Sequence, residues 1–380
     1  MTVEEVKSIP SSAVEEVVVI QYEQLTDPSS DVSDLIEKAF GPDGIGILAV
    51  RGVPTFPEKR RALLPLSRQF ALLPDEVKEK TVHASSCFSF GWSHGKEKLE
   101  GKPDYSKGSY YNNPVYDRPF DDENIIKEHP TFAHPNIWPH ENLPELRDAF
   151  MQLGTLIVEV GVLLSKQCDK YVEKHNPSYQ KGRVSNIIAA SKTAKARLLH
   201  YFPLSKEAAD KFESSHISEE EFMSSWCGWH NDHGSLTGLT SAMYLDEEGN
   251  EVPNPDPKSG LYARARSGEL IKAAVSSTDV IFQIGETAQI HSGGLLQATP
   301  HCVRGATGQR SVGISRETFA VFMEPEWAEV MDAPVNVEEK KITEGTSGKY
   351  LPKGVPSLDT RWNNGISFSD FTTRTLSAYY

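Results

Sequence analysis

The spacing of apolar positions changes character near residue 190. Before that point the longest regular pattern is helical. Leu146, Phe150, Leu153, Ile157, Val160 and Leu164 follow at intervals of four, three, four, three and four, which places all six on one helix face. This is a core-packing pattern and carries no chemistry. Leu63, Leu66, Phe70 and Leu73 predict a second amphipathic helix, opened by Pro57 in its first turn, with Pro65 interrupting its early part. Shorter elements precede these: a strand over 17–22, a helix from Ser33 through Phe40, and a buried strand over 46–50. Gly41-Pro42 stops the helix, because proline cannot continue it and glycine favours its C-cap.

Residues 83–140 show no sustained period and are rich in Gly, Pro, Tyr, His and Asn. A stretch this long and this aromatic predicts a packed functional loop. Ser89-Phe90-Gly91-Trp92 and Tyr110-Tyr111-Asn112-Asn113 are its candidates to face a ligand; the alternative is packing on the domain surface. A boundary falls at 176–183, where Pro177 and Gly182 break the helical pattern.

From Ala194 onward the pattern predicts short strands, over 197–202, 236–245, 261–265, 269–275, 280–284, 299–303 and 311–323. Ser267-Gly268 forms a hairpin turn, and 206–222 is a polar, helical insertion. Strands so closely spaced imply a sandwich or barrel, not a parallel sheet. A terminal helix over 369–378 and the aromatic residues Trp362, Phe368, Phe371, Tyr379 and Tyr380 give a tail able to dock on that β unit. There is no internal repeat.

Composition narrows the partners. The 380 residues carry a formal charge of -14, from 39 basic and 53 acidic side chains, which disfavours nucleic acid and anionic membrane surfaces. The four cysteines, Cys87, Cys168, Cys227 and Cys302, are scattered and form no CxxC. That argues against a disulfide framework or a zinc–thiolate site and suits a reducing compartment. The first ten residues contain no apolar h-region, and the apolar run 154–164 contains Glu159 and is too short to span a bilayer. The expectation is a soluble cytoplasmic protein whose partner is a small molecule, with no protein partner evident.

One stretch carries chemistry. Residues 229–239 read W-H-N-D-H-G-S-L-T-G-L. In a strand, His230 and Asp232 share a face and offer a nitrogen and a carboxylate oxygen to one point, two thirds of the 2-His-1-carboxylate triad that holds non-haem Fe(II). His233 is three residues from His230, so it faces away. His291 precedes Ser292-Gly293-Gly294, a turn that fixes it poorly. His301 lies where a polar turn passes into a strand, several strands beyond His230, and is the expected third ligand. Further on, Arg316 and Thr318 share a strand face. A guanidinium grips a carboxylate through two parallel hydrogen bonds, and a nearby hydroxyl adds a third. Three protein ligands leave three positions on iron. A 2-oxo acid can occupy two of them while Arg316 and Thr318 anchor its distal carboxylate; a salt bridge from Arg316 to an acidic side chain is the alternative.

Taken in order, these residues resemble the isopenicillin-N-synthase-like branch of the Fe(II)/2-oxoglutarate-dependent dioxygenase superfamily. Leu73-Pro74-Asp75-Glu76 resembles the family's "L-P-x-E" turn, and Arg197-Leu198-Leu199-His200-Tyr201-Phe202-Pro203 its "R-x-N-x-Y-P-P" strand. Residues 229–239 resemble "H-T-D-x-G-x-L-T-x-L", 280–304 resemble "I-x-N-I-G-D … S-x-x-H-R-V", and Arg316-Glu317-Thr318 followed by Phe322 and Pro325 resembles "R-x-S" followed by F and P. The resemblance implies a mixed α+β chain with a double-stranded β-helix (jelly roll) core. It implies Fe(II) held by His230, Asp232 and His301, with 2-oxoglutarate and O2 as cosubstrates, and Arg316, Thr318 and the Tyr201 hydroxyl on the distal carboxylate of 2-oxoglutarate. Leu199 stands where the family has Asn, and Cys302 follows His301 in place of Arg. Arg310-Ser311 lies nearer the family's distance from the distal His, a rival to Arg316.

The expected organisation is an N-terminal dioxygenase-type region over 1–140, a core-packing helix and connection over 141–190, the jelly roll over 191–327 and an aromatic tail over 328–380. The expected reaction is oxidation of a small organic substrate, most simply hydroxylation, with release of succinate and CO2. Alternatives are a 2-oxoglutarate-independent Fe(II) oxidase of the same fold and a non-catalytic jelly-roll binding module.

Overall fold

The computed structural model describes residues 13–96, 98–99, 102–214, 223, 225–344 and 351–379. Two sheets form its centre. The strands that matter here are β1 (Ala13–Glu16), β2 (Val18–Gln21), β3 (Ile47–Arg51), β4 (Gly91–His94), β5 (Lys107–Asn112), β6 (Lys195–Tyr201), β7 (Cys227–His230), β8 (Leu236–Leu239), β9 (Met243–Leu245), β10 (Gly260–Arg264), β11 (Leu270–Ala274), β12 (Val280–Ile284), β13 (His301–Arg304) and β14 (Ser315–Met323). The larger sheet runs β2-β3-β12-β8-β14-β6-β5-β4, with β9 also pairing β14. The smaller runs β1-β11-β10-β13-β7.

Alternation along β14 sets the two faces of the larger sheet. Phe319, Val321 and Met323 point outward into the main core, while Arg316, Thr318 and Ala320 share the opposite, inner face. The outer face is covered by the long helix α3 (Glu145–His175), after α1 (Ser33–Phe40) and α2 (Phe56–Ala71). Leu146, Phe150, Leu153, Ile157, Val160 and Leu164 are all buried, as their spacing predicts. By length and composition α3 could cross a membrane, but this buried stripe, packed on the sheet, accounts for its apolar content. It packs closely because glycine stands on both sides. A Cβ at Gly238 of β8 would meet Ile157 Cγ2 at 2.2 Å, and one at Gly161 would meet the Met323 sulfur at 2.3 Å. Ile157 is β-branched and stiff in a helix, so it cannot swing clear. Gly238→Ala is therefore expected to destabilise the fold by about 1–3 kcal/mol through overpacking, read as a lower urea midpoint at unchanged slope.

The helices over 33–40 and 56–71 and the Ser267-Gly268 hairpin form as expected; Gly268 takes φ +87° between β10 and β11. Two expectations change. The strand expected over 236–245 is two strands, β8 and β9, both paired with β14. At the break the Thr240 hydroxyl accepts from the Phe319 N–H at 3.0 Å, and buried Arg60 donates to the carbonyls of Ser241 and Ala242. The second change concerns 83–140, which is not simply loop. β4 and β5 extend the larger sheet beyond β6, and Trp92 and Tyr110 pack around Phe70 in the main core. Asn112 and Asn113 are buried struts: the Asn112 side chain brackets Ile137, and Asn113 donates to the Lys192 carbonyl. Of the residues expected to face a ligand, Tyr111 lies on the inner face, beneath the Arg197 guanidinium.

The chain's last part closes one end. Phe132, Ile290, Met331, Leu358, Trp362, Phe368 and Phe371 form a separate apolar cluster, which docks the terminal helix α6 (Phe368–Tyr379) against α5 (Glu286–His291), after α4 (Arg183–Ala190). The insertion expected over 206–222 begins as a helix, Lys206–Ser214; residues 215–222 lie outside the described residues, as does Tyr380.

Candidate metal centre

The inner edge of the smaller sheet builds the centre. β13 and β7 pair with His301 opposite His230, and the register shifts before Val303 meets Cys227. Such a bulge re-aims side chains at a strand end, and here both imidazoles turn to one point, with ring centroids 4.3 Å apart. Asp232 reaches that point by a different route from the one strand alternation implies. β7 ends at His230, and Asp232 lies in the turn beyond it. The turn is fixed from beneath by the start of α5. Glu286 N donates to Asp232 O at 2.8 Å, Thr287 N to Gly234 O at 3.2 Å, and the Thr287 hydroxyl to His233 O at 2.6 Å. Gly285 makes this approach possible, since a Cβ there would lie 2.0 Å from Gly234 O.

His230 Nε2 and His301 Nε2 stand 3.7 and 3.8 Å from Asp232 Oδ1, and one ligand atom from each residue lies within 4.8 Å of the others. The tautomers suit a metal. His230 Nδ1 donates to Gly228 O at 2.7 Å, and His301 Nδ1 to Thr299 O at 3.2 Å, which leaves both Nε2 lone pairs facing inward. Burial and the adjacent His230 push the His301 imidazole down to about 4, so it is neutral near pH 7. Burial also opposes charge on His230, but the Cys227 sulfur at 3.9 Å and the Asp232 carboxylate outweigh it and raise it to about 9; loading a metal there releases a proton. Asp232 Oδ2 is buried with no hydrogen-bond partner. An orphaned carboxylate oxygen beside two inward Nε2 atoms fits a cation, and the mixed N/O donor set suits a non-haem ferrous ion.

The remaining expected residues lie on the inner face of the larger sheet. Arg316 pairs in register with Tyr201 and Thr318 with Leu199. The Arg316 guanidinium lies against two adjoining rings, 4.8 Å from the centroid of Tyr201 and 5.4 Å from that of Trp226, the two centroids being 5.0 Å apart, where cation–π attraction holds it. Arg316 is 7 % exposed, its Nε has no partner, and among the described residues no carboxylate pairs with it. The salt-bridge alternative is thus not what the structure shows. Arg310 sits exposed on the short turn Gln309–Ser311. His233 lies flat against Phe368, and His291 is fully buried with Nε2 on Val330 O; neither joins the cluster.

Sequence reasoning passed over three groups on this inner surface. Trp226, just before β7, adjoins the Tyr201 ring and widens the aromatic surface on which Arg316 rests. Arg197 and Lys195 follow Tyr201 and Leu199 on the inner face of β6 by alternation. Arg197 donates to Ser109 Oγ, and the Lys195 ammonium sits 5.7 Å from the rings of Phe90 and Phe132 and donates to Thr131 O. The period-2 pattern running back from Tyr201 was the signal for both.

Comparison with known proteins agrees with this picture. Residues 17–141 match the model of the family described as non-haem dioxygenase in morphine synthesis, N-terminal. No curated protein matches the chain. Among solved structures, a full-length Neurospora crassa protein in complex with alpha-KG is 18% identical with a TM-score of 0.67, covering 96% of both chains. A 2OG-Fe(II) oxygenase family protein from Caulobacter crescentus is 16% identical with a TM-score of 0.67, over 97% of this chain and 100% of that one. A dioxygenase for auxin oxidation from rice is 15% identical with a TM-score of 0.55, over 95% of each. At these identities the likeness is one of fold. The N-terminal match is thus to a non-haem dioxygenase family and the fold is like that of a 2OG-Fe(II) oxygenase family protein, and the His–Asp–His cluster is consistent with both.

Proposed function

We propose that the protein is a non-haem Fe(II)- and 2-oxoglutarate-dependent dioxygenase that hydroxylates a small organic substrate. One oxygen atom of O2 enters the substrate and the other enters succinate, with loss of CO2. The observation that carries this reading is the pairing of a largely buried His230–Asp232–His301 cluster, its Asp232 Oδ2 unpartnered, with a buried Arg316 that no carboxylate among the described residues pairs. We further read the two facing sheets as a double-stranded β-helix with the metal centre at one end, and place the protein in the cytoplasm on the strength of its four free cysteines.

His230 Nε2, His301 Nε2 and Asp232 would hold iron. Bound iron supplies the activation of O2. The chain's own residues then bind and orient. Arg316 takes the distal carboxylate of 2-oxoglutarate through its fork, with the hydroxyls of Thr318 and Tyr201 as further donors. Leu199, opposite Thr318, presents an apolar surface that excludes water beside the carbon chain. The Neurospora crassa structures with thymine and with 5-formyluracil support a small-molecule substrate for this chain too. Its pocket we place against Arg197, Lys195 and Tyr111.

The test is anaerobic addition of 2-oxoglutarate to the Fe(II)-loaded protein. The expected result is a visible metal-to-ligand charge-transfer band from the chelate. Fe(II) bound with no band would favour the 2-oxoglutarate-independent oxidase, and no Fe(II) binding at all would favour the non-catalytic module.

A further inference from the structure

Asn231 separates two of the proposed ligands, and both of its polar contacts lead to the chain's C-terminal part. Its backbone N–H donates to the Tyr379 hydroxyl at 3.2 Å, and its side-chain amide donates to Glu286 Oε1 at 3.1 Å. Glu286 is fully buried and is gripped by Arg361, Nη2 to Oε1 at 2.6 Å and Nη1 to Oε2 at 2.7 Å. Arg361 is itself 1 % exposed and has its other donors filled, by Thr375 Oγ1 at 3.0 Å and the carbonyls of Pro356 and Ser357 at 3.1 and 3.3 Å. Glu286 also donates its backbone N–H to Asp232 O at 2.8 Å. One carboxylate residue therefore holds the side chain of Asn231 and the backbone of Asp232 together.

A fully buried ion pair is a poor way to gain stability, because desolvating both ions offsets most of their attraction. Its strength is geometric: a fork on a carboxylate fixes distance and plane. The apolar cluster of Trp362, Phe368 and Phe371 already docks this segment, so the polar chain is not needed as glue. We propose that Arg361, Glu286 and Tyr379 are positioning residues for the metal centre, and that the C-terminal segment sets the aim of the His230–Asp232 turn. The proposal rests on the reading of that cluster as a metal site. Contacts of this kind, one layer out from the ligands, typically cost 10–100-fold in metal affinity or activity when removed.

The test uses the full-length metal-free protein, with Co(II) alone as probe, read by its ligand-field absorption. Urea unfolding of each metal-free variant runs beside it. Tyr379→Phe removes only the hydroxyl, on a half-buried residue near the chain end. It is expected to weaken Co(II) binding about tenfold and to shift the ligand-field bands, with the metal-free protein still folded and its urea midpoint lowered only by the Asn231 N–H left without an acceptor. Glu286→Gln is expected to weaken binding further, and Arg361→Lys to fall between Glu286→Gln and wild type. Thr373→Ala is the control: it lies exposed on the same helix and its hydroxyl bonds Ser369 O, and it is expected to bind Co(II) as wild type does. Wild-type affinity and spectrum in Tyr379→Phe would overturn the proposal, even should Glu286→Gln fail to fold; so would an equal loss in Thr373→Ala. Failure of the wild-type chain to bind Co(II) is a separate result, which removes the metal reading itself.

Discussion

Asp232→Ala is expected to abolish stoichiometric Fe(II) binding and to leave the metal-free protein at least as stable as wild type. The two halves have one cause. Asp232 brings the cluster's negative charge, and without it a dication meets only two imidazoles, His230 still having to give up its proton. The loss should exceed the roughly 10–100-fold cost of removing an outer contact. In the metal-free state the same carboxylate is 7 % exposed, with Oδ2 buried and unpartnered. A buried polar atom left unsatisfied costs about 1–3 kcal/mol, and alanine removes that cost. Calorimetric titration with Fe(II) under argon checks the first half, and the thermal midpoint of the metal-free proteins checks the second. Stoichiometric binding by Asp232→Ala, or a midpoint well below that of wild type, would show that the carboxylate serves the fold and not a metal.

The distribution of what the sequence makes legible follows from the range of each interaction. Helix faces such as that of Leu146 to Leu164 are local and repeat many times, so spacing alone places them. His230 and Asp232 were legible as a pair, although the reason was incomplete. Strand alternation puts them on one face, yet β7 ends at His230 and the aim of Asp232 comes from the start of α5, more than fifty residues later. β4 and β5 were hidden because three of their inner positions, Gly91, Ser93 and Ser109, are small and read as loop. The outer ones, Trp92 and Tyr110, look like ligand-facing aromatics until their partner Phe70 is known. Glu317 is a charge on the core face of β14 that no periodic rule predicts. His200 Nδ1 at 2.9 Å and Ser315 Oγ at 2.8 Å satisfy it, and His200 lies far away in sequence. The same holds for Arg361 and Glu286. Pairs of this kind leave no spacing signal, because each member is isolated in its own segment.

Arg316 presents the opposite case, a residue whose role depends on which partner it lacks. Arg316→Ala is expected to raise the Kd for 2-oxoglutarate about 30-fold or more, corresponding to the roughly 2–5 kcal/mol lost when one member of a buried charge pair is truncated, while Fe(II) affinity stays near wild type. The guanidinium is held against the adjoining rings of Tyr201 and Trp226 with Nε unpartnered. It is thus oriented before any ligand arrives, and the distal carboxylate meets a fork that need not be reorganised. Arg316→Lys keeps the charge but not the fork or the ring stacking, so its Kd should lie between those of wild type and Arg316→Ala. Arg310→Ala is expected to change nothing, because Arg310 is exposed on the turn Gln309–Ser311. Charge-transfer titration of the Fe(II) proteins with 2-oxoglutarate separates the two arginines. A Kd raised by Arg310→Ala and unmoved by Arg316→Ala would assign the anchor to the turn and leave the buried Arg316 without a ligand to explain it.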